Sequence, residues 1–223
     1  MPRPFTVDPA VMDQIRPMMN IDADAVARLH HAAMGNSLWA KLGLPFLKTL
    51  YRALVVNDRF LGFVYVDERN IPRGFIAGST DARAMMREVF EQSYLVLGMN
   101  AFPRALRPAI LLRLLQTPRY FRASHPGDEI PAESLFCSFE PELRGKRISG
   151  HINKVLFDEL LARGHDQVKI TTEATNQGAN RQLQSWGFEE RGRFRFYEHE
   201  MVAYVLNLHE SDRVEAVSRH PAV

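Results

Sequence analysis

Three consecutive segments in the last third of the chain leave few architectures open. ESLFCSF (133–139) has the length and composition of a strand. From Ser149 to Arg163 the apolar period becomes helical, with Ile152, Val155, Leu156 and Leu160 at core spacing and Gly164 placed to end the helix. QVKITTE (167–173) then alternates Val168, Ile170 and Thr172, the signature of a second strand. Strand, helix and strand at this spacing predict a β-α-β unit and an α/β fold.

The flanking segments make the sheet a mixed one. Downstream, Asn176 or Thr175 caps a helix running to Trp186 and ended by Gly187, and FRFYE (194–198) and MVAYVLNL (201–208) pair as strands. Upstream, Ile21 to Met34 reads as a helix with Ile21, Ala25, Val26, Leu29 and Ala33 on one side and Asn20 or Asp22 at its cap. Pro45 to Val56 reads as another, and FLGFVYV (60–66) and GFIAGS (74–79) form a hairpin across DERNIPR. Residues 83–131 differ: rich in Leu, Met and Arg and interrupted by Gly98, Pro103, Pro108 and Pro118, they predict two or three short helices inserted between strands.

At 223 residues, the chain fits one domain (1–223) carrying the 83–131 insertion and a charged tail over 210–223. Hydrophobic residues at 46% and charged residues at 24% are ordinary globular composition. Lys and Arg total 28 against 26 Asp and Glu, so the net charge of +2 gives no electrostatic reason to expect nucleic acid. Cys137 is the one cysteine, which excludes a disulfide framework and a cysteine-based zinc site; no metal is expected. The opening MPRPFTVDPAVMDQ carries Asp8 and Asp13 and no apolar run, unlike a signal peptide, and AILLRLL is far short of the roughly 20 residues of a membrane span. A soluble, cytoplasmic protein is the expectation.

The chemistry points to Glu140-Pro-Glu-Leu-Arg-Gly-Lys-Arg-Ile-Ser-Gly150, where a strand gives way to a helix. The first N–H groups of a helix lack intrahelical acceptors and its dipole is positive there, which suits an anion. Arg144, Lys146 and Arg147 crowd the same turn although the dipole disfavours cations by ~0.3–1 kcal/mol each. A phosphate among them resolves the conflict; a solvated basic turn is the alternative. Gly145-Lys-Arg-Ile-Ser-Gly150 matches half of a Walker loop, but His151 and Ile152 stand where that motif needs Lys and Ser/Thr, and a G-x-G-x-x-G fingerprint is missing as well.

The frame Phe139-Glu-Pro141 followed by Arg144-Gly-Lys-Arg-Ile-Ser149, with Asn176 and Trp186-Gly-Phe188 downstream, resembles the C-terminal half of the GNAT superfamily of acyl-CoA-dependent N-acyltransferases. Ile15-Arg-Pro17 before the first long helix resembles the superfamily's opening; the likeness covers about two thirds of the chain and leaves out the insertion. It implies a mixed, mostly antiparallel sheet flanked by helices, acetyl-CoA as cosubstrate and an amine as acceptor. By the same resemblance the loop Arg144, Gly145, Lys146, Arg147, Ile148, Ser149 and Gly150 would cradle the pyrophosphate. The main chain of Cys137 and Phe139 would pair with the pantetheine arm like an added strand, and Asn176 would reach the cofactor from the next helix. Two departures stand out. Arg147 and Ser149 occupy loop positions normally small, and Leu183 stands where many relatives place a tyrosine general acid.

Glu133, at the start of the strand where some relatives keep a general base, is the candidate to take the amine's proton; a solvated strand-end glutamate is the alternative. His30 and His31 lie on the first helix and are expected to be packing or surface residues. Cys137 is expected to be a packed strand residue rather than a nucleophile, since no histidine is placed to activate it. Tyr197 and Tyr204 are alternative proton donors, though strand tyrosines are commonly core residues. Between Glu91 and Asp128 there is no acidic residue, yet Arg104, Arg107, Arg113, Arg119 and Arg122 are present. An amphipathic membrane-surface helix is one reading of that segment, but Arg107 and Arg113 fall on different sides of a helical wheel. A wall of the acceptor site or a homodimer contact is the reading preferred. Besides the acyltransferase, two functions of other classes stay open: a non-catalytic acyl-CoA sensor and a membrane-surface interaction protein.

Overall fold

A computed structural model describes residues 5–35, 37–102, 104–108, 110–112, 125–143 and 145–211. The described residues build one seven-stranded sheet in the order β1-β2-β3-β4-β5-β7-β6. The strands are β1 (Ile15–Pro17), β2 (Phe60–Val66), β3 (Pro72–Ser79), β4 (Glu133–Phe139), β5 (Gln167–Glu173), β6 (Glu189–Phe196) and β7 (His199–Asn207). All neighbours are antiparallel except β4 and β5. The helices are α1 (Pro9–Met12), α2 (Ala23–Ala33), α3 (Leu38–Lys41), α4 (Leu44–Val55), α5 (Ala82–Ala101), α6 (Ile148–Ala162) and α7 (Gln177–Ser185).

The sheet divides the apolar core in two. On one face α2, α4 and α5 bury Val26, Leu47, Leu50, Tyr51 and Met85 against Val64, Phe75 and Ala77. On the other, α6 and α7 bury Ile152, Leu156, Leu160, Leu183 and Trp186 against Ile76, Val168, Val202 and Tyr204. The alternation of strand side chains between faces makes both clusters possible. Gly164 (φ +83) ends α6 and Gly187 (φ +89) follows α7, as their positions in the sequence predict.

Three expectations need correcting, and one element was not foreseen. The first helix starts at Ala23 after a 3-10 turn over Asn20–Asp22, so Ile21 is 82% exposed rather than on the apolar face. The stretch read as several short helices begins with one 20-residue helix, α5, capped by the Asp81 side chain on the Ala84 N–H. Gly98 does not break it: an interior glycine costs only ~1 kcal/mol, and the space beside its Cα is open. A short helix, α3, capped by Ser37, was not legible. Finally, β6 starts at Glu189, and Tyr197, at φ 52, turns the chain into β7 instead of extending the strand. Arg113, Arg119, Arg122 and the tail beyond residue 211 lie outside the described residues.

Candidate active site

The parallel pair β4–β5 is joined only at one end. Its register comprises Glu133 with Lys169 and Ser134 with Ile170, and beyond these the facing edges of β4 and β5 are unpaired among the described residues. A β-bulge sits at the same level. Ala77 of β3 faces Phe136 and Gly78 faces Ser134, so Leu135 is the extra residue.

The bulge decides which main-chain groups the open edge presents. Before it, the Ala132 carbonyl accepts from Lys169 N–H at 2.9 Å, so even-numbered residues turn toward β5. After it, Glu140 N–H donates to the Arg73 carbonyl at 2.9 Å, on the β3 side. Because ladder bonding alternates along an antiparallel pair, Phe136 and Ser138 also bond to β3. The N–H and C=O groups of Cys137 and Phe139 are therefore turned to the gap. Their side chains pack with the α6–α7 cluster. Burial, only slightly offset by the Asn153 amide 3.8 Å away, pushes the Cys137 thiol up to about 12.

Beyond β4, a 3-10 turn (Pro141–Leu143) leads to Gly145, Lys146 and Arg147 and the first turn of α6. Arg144 lies outside the described residues. Gly145 takes φ +79 with open space where a Cβ would stand, and Arg147, at φ 58, is the left-handed N-cap of α6 and offers no side-chain cap. Lys146 and Arg147 are exposed, whereas the Ile148 side chain is buried in the core and Gly150 is buried. Ser149 accepts at Oγ from the Gln182 amide at 3.0 Å, which ties α7 to this turn and leaves the hydroxyl proton free to donate.

His151 holds the loop from behind. The Asp8 N–H donates to its Nε2 at 2.9 Å, so the ring proton is on Nδ1, which donates to the Arg147 carbonyl at 2.9 Å. Phe5 packs on the ring with centroids 5.0 Å apart. The Asn153 amide adds a bond to the Ser149 carbonyl at 2.8 Å. Asn176 caps α7 by accepting the Ala179 N–H at 3.2 Å, and Asn180 binds the Glu173 and Asn176 carbonyls at 3.0 and 2.8 Å.

Glu133 is not a solvated strand end. Its side chain is 17% exposed and lies 3.5 Å from Lys169 Nζ, which is itself 3.1 Å from Asp128; Asp128 in turn pairs with Arg83 at 2.7 Å. Lys169 points away from Val168 and Ile170, so this network lies on the α2–α4–α5 face. Burial pushes the Glu133 carboxyl above its usual range, against the opposing pull of Lys169. Burial also acts upward on Asp128, but the His125 N–H and Lys169 outweigh it and hold that carboxyl low.

Leu183 is in the core, 6% exposed, and places no proton donor beside the gap. Tyr204 is buried with its hydroxyl 3.4 Å from the Gln184 amide. Lys169, Asp128, His151, Asn153 and Gln182 were missed from sequence. Of these only Lys169 left a signal, as a charge inside a strand whose neighbours alternate apolar. Among the described residues no three His, Cys, Asp or Glu side chains are grouped to hold a metal ion, and no helix is long and apolar enough to cross a membrane.

Comparison with known proteins fits this geometry. No family model matches the chain. A 75-residue stretch is 31% identical to part of mycothiol acetyltransferase from Brachybacterium faecium, a match taking in 33% of this chain and 23% of that protein. Among solved structures, SsHAT superposes with a TM-score of 0.65 at 16% identity, covering 87% of this chain and 97% of the other. An N-acetyltransferase from Staphylococcus aureus Mu50 gives 0.54 at 16% identity over 87% and 97%, and a spermidine N-acetyltransferase from Vibrio cholerae gives 0.54 at 11% over 87% and 94%. At such identities the likeness establishes the fold.

Proposed function

From the premise that the chain has the fold of the GNAT acetyltransferases, we propose that it is an N-acetyltransferase moving the acetyl group of acetyl-CoA to an amine by direct attack in a ternary complex. The observation that carries this reading is the split between β4 and β5. Its open edge presents the main chain of Cys137 and Phe139, and it leads to a glycine-containing basic turn at the start of α6.

Acetyl-CoA would enter with its pyrophosphate on the N–H groups of Gly145 to Gly150, beside the Lys146 and Arg147 charges, and with its pantetheine arm along β4. The thioester then lies toward the closed end of the split. Holding amine and thioester together removes the entropic cost of their encounter. The amine nitrogen attacks the thioester carbonyl carbon, and a β4 backbone N–H near the bulge stabilises the oxyanion. Glu133 takes the ammonium proton, directly or through water, a task suited to a carboxyl whose burial raises its affinity for protons. Collapse breaks the carbon–sulfur bond, forming the amide, and the coenzyme A thiolate leaves and takes a proton from solvent. Leu183 cannot supply that proton. The raised pKa of the half-buried Cys137 thiol makes a covalent acyl-enzyme route unsuitable.

Calorimetry with acetyl-CoA, followed by detection of released thiol across an amine panel, tests the reading. Micromolar binding, near −8 kcal/mol, and amine-dependent thiol release are expected. Absence of binding at millimolar acetyl-CoA refutes it, and binding without release from any amine reduces the protein to an acyl-CoA-binding module.

A further inference from the structure

The α2–α4 end of the molecule contains a cavity of about 640 Å³ with an unusual charge. Its lining includes His31 at the end of α2, Lys41 of α3, Gly43 at the cap of α4, and Arg104 and Arg107 from the segment after α5; among the described residues no carboxylate lines it. Among the described residues, none of these four basic side chains takes part in an ion pair or a side-chain hydrogen bond. By contrast, Lys48 and Arg52 share an ion pair with Asp24, and Arg59 pairs with Glu88. Along the sequence around the two arginines, no Asp or Glu occurs between Glu91 and Asp128. Unpaired like charges gathered around one concavity raise its potential and concentrate anions in it.

The backbone adds to the effect. Gly43, at φ +95, has no side chain with which to cap α4, and a Cβ there would lie 2.8 Å from Nε of Arg104. Glycine thus lets the Arg104 guanidinium lie directly against the start of the helix, where N–H groups lack intrahelical acceptors. The helix that carries His31 packs on the split strand. His30, the residue before His31, has its ring centroid 4.8 Å from that of Phe136, and the Leu29 carbonyl is 3.4 Å from Ser138 Oγ. The cavity therefore lies on the side of the sheet that carries the Glu133 network, not on the α6 side.

We infer that this cavity binds the anionic group, a carboxylate or a phosphate, of the acyl acceptor, so that the substrate is an amine carrying a negative charge. The inference rests on the acetyltransferase reading. Arg104 and Arg107 are suited to a forked grip on either oxyanion, Lys41 adds a point charge, and the acceptor's nitrogen is left to reach the thioester at the β4 bulge.

Two measurements test it. The first is independent of turnover: inorganic phosphate titrated into the protein should bind at millimolar concentration or tighter, and Arg104→Gln with Arg107→Gln should weaken that binding at least tenfold. Lys41→Gln, on a different element, should weaken it as well, which guards against a local folding defect. The second uses acetyl-CoA with matched acceptors: amino acids against their decarboxylated amines, and phosphoethanolamine against ethanolamine. The anionic member of a pair should react with at least tenfold higher kcat/KM, and the double variant should abolish that preference while acetyl-CoA affinity is unchanged. The better of the two pairs identifies whether the group is a carboxylate or a phosphate. Phosphate binding that is absent or indifferent to these substitutions, a preference for uncharged amines, or a loss of acetyl-CoA affinity in the double variant overturns the inference. Failure of acetyl-CoA to bind at all defeats the acetyltransferase reading instead, and the phosphate titration still decides whether the cavity is an anion site.

Discussion

Alkylation of Cys137 in the folded protein offers a direct measure of how the site is built. The thiolate is the reactive form, and burial pushes the thiol up to about 12. At pH 7 roughly one molecule in 10⁵ then carries a thiolate, against roughly 3 in 100 for a free cysteine of pKa ≈ 8.5, a deficit of ~3,000-fold. A more basic thiolate is also a better nucleophile, and a Brønsted slope of ~0.4–0.5 over that interval returns ~30-fold. The net expectation is alkylation ~100-fold slower in the folded protein than in urea, before any steric shielding. The rate should also keep rising about tenfold per pH unit from 7 to 10, where a free thiol levels off. The assay is iodoacetamide labelling followed by intact mass, which a chain with one cysteine makes unambiguous. Labelling within tenfold of the unfolded rate refutes the half-buried, protonated thiol. Cys137→Ala should in addition retain turnover within about threefold; a hundredfold loss would restore the acyl-enzyme route.

Three further outcomes are expected. Glu133→Gln should lower kcat by ~10²–10⁴-fold with acetyl-CoA affinity nearly unchanged and should flatten the acidic limb of the pH–rate profile; activity within threefold of wild type leaves the base elsewhere. His30 is buried, which lowers its pKa to about 4, with a smaller contribution from His31. The unfolded chain, near 6.5, therefore binds the proton first, and stability is lost as the pH falls from ~6.5 toward 4, by about 3 kcal/mol in all. Urea unfolding at pH 7, 5 and 4 should show this slope, and His30→Gln, still able to meet Tyr51, should flatten it; an unchanged slope refutes the assignment. Arg147→Gly relieves the left-handed backbone at φ 58 but removes a cation from the basic turn before α6. Thermal stability should hold or rise while acetyl-CoA binding weakens ~10-fold or more, and tighter binding would mean that the side chain obstructs the turn.

What the sequence disclosed, and what it concealed, follows from how local each determinant is. β4 and β5 carry the boundaries expected, because short apolar runs closed by Pro141 and Gly164 signal themselves. α5 was misjudged because an outward-facing glycine costs too little to stop a helix that Asp81 has capped. β6 began earlier than expected because it is an edge strand: Glu189, Glu190 and Arg191 face water, and such charges guard an edge without leaving an apolar alternation. At the site, the basic turn was visible as a conflict between cations and a helix dipole. The partners that shape it were not, since His151 meets Asp8 across 143 residues and Lys169 meets Asp128 across 41. The bulge at Leu135 has no glycine to announce it and depends on pairing with both neighbours.

That bulge makes β4 sensitive to length more than to chemistry. Removing Leu135 or Phe136 would erase the bulge and restore simple alternation, leaving the groups of Cys137 and Phe139 turned to the gap. Removing Cys137 or Ser138 with the bulge intact would shift the phase beyond that point, turning the groups of Phe139 back to β3 and its side chain to the other layer. Swapping the side chain of Cys137 for another of similar bulk leaves the phase intact. A scan of single-codon deletions and substitutions across 134–139, scored by acetyl-CoA retention, should therefore separate into two populations. Deletions at 137 and 138 would fail, deletions at 135 and 136 and conservative substitutions would survive at most positions, and the site would behave as a spacing encoded in the strand beyond its bulge.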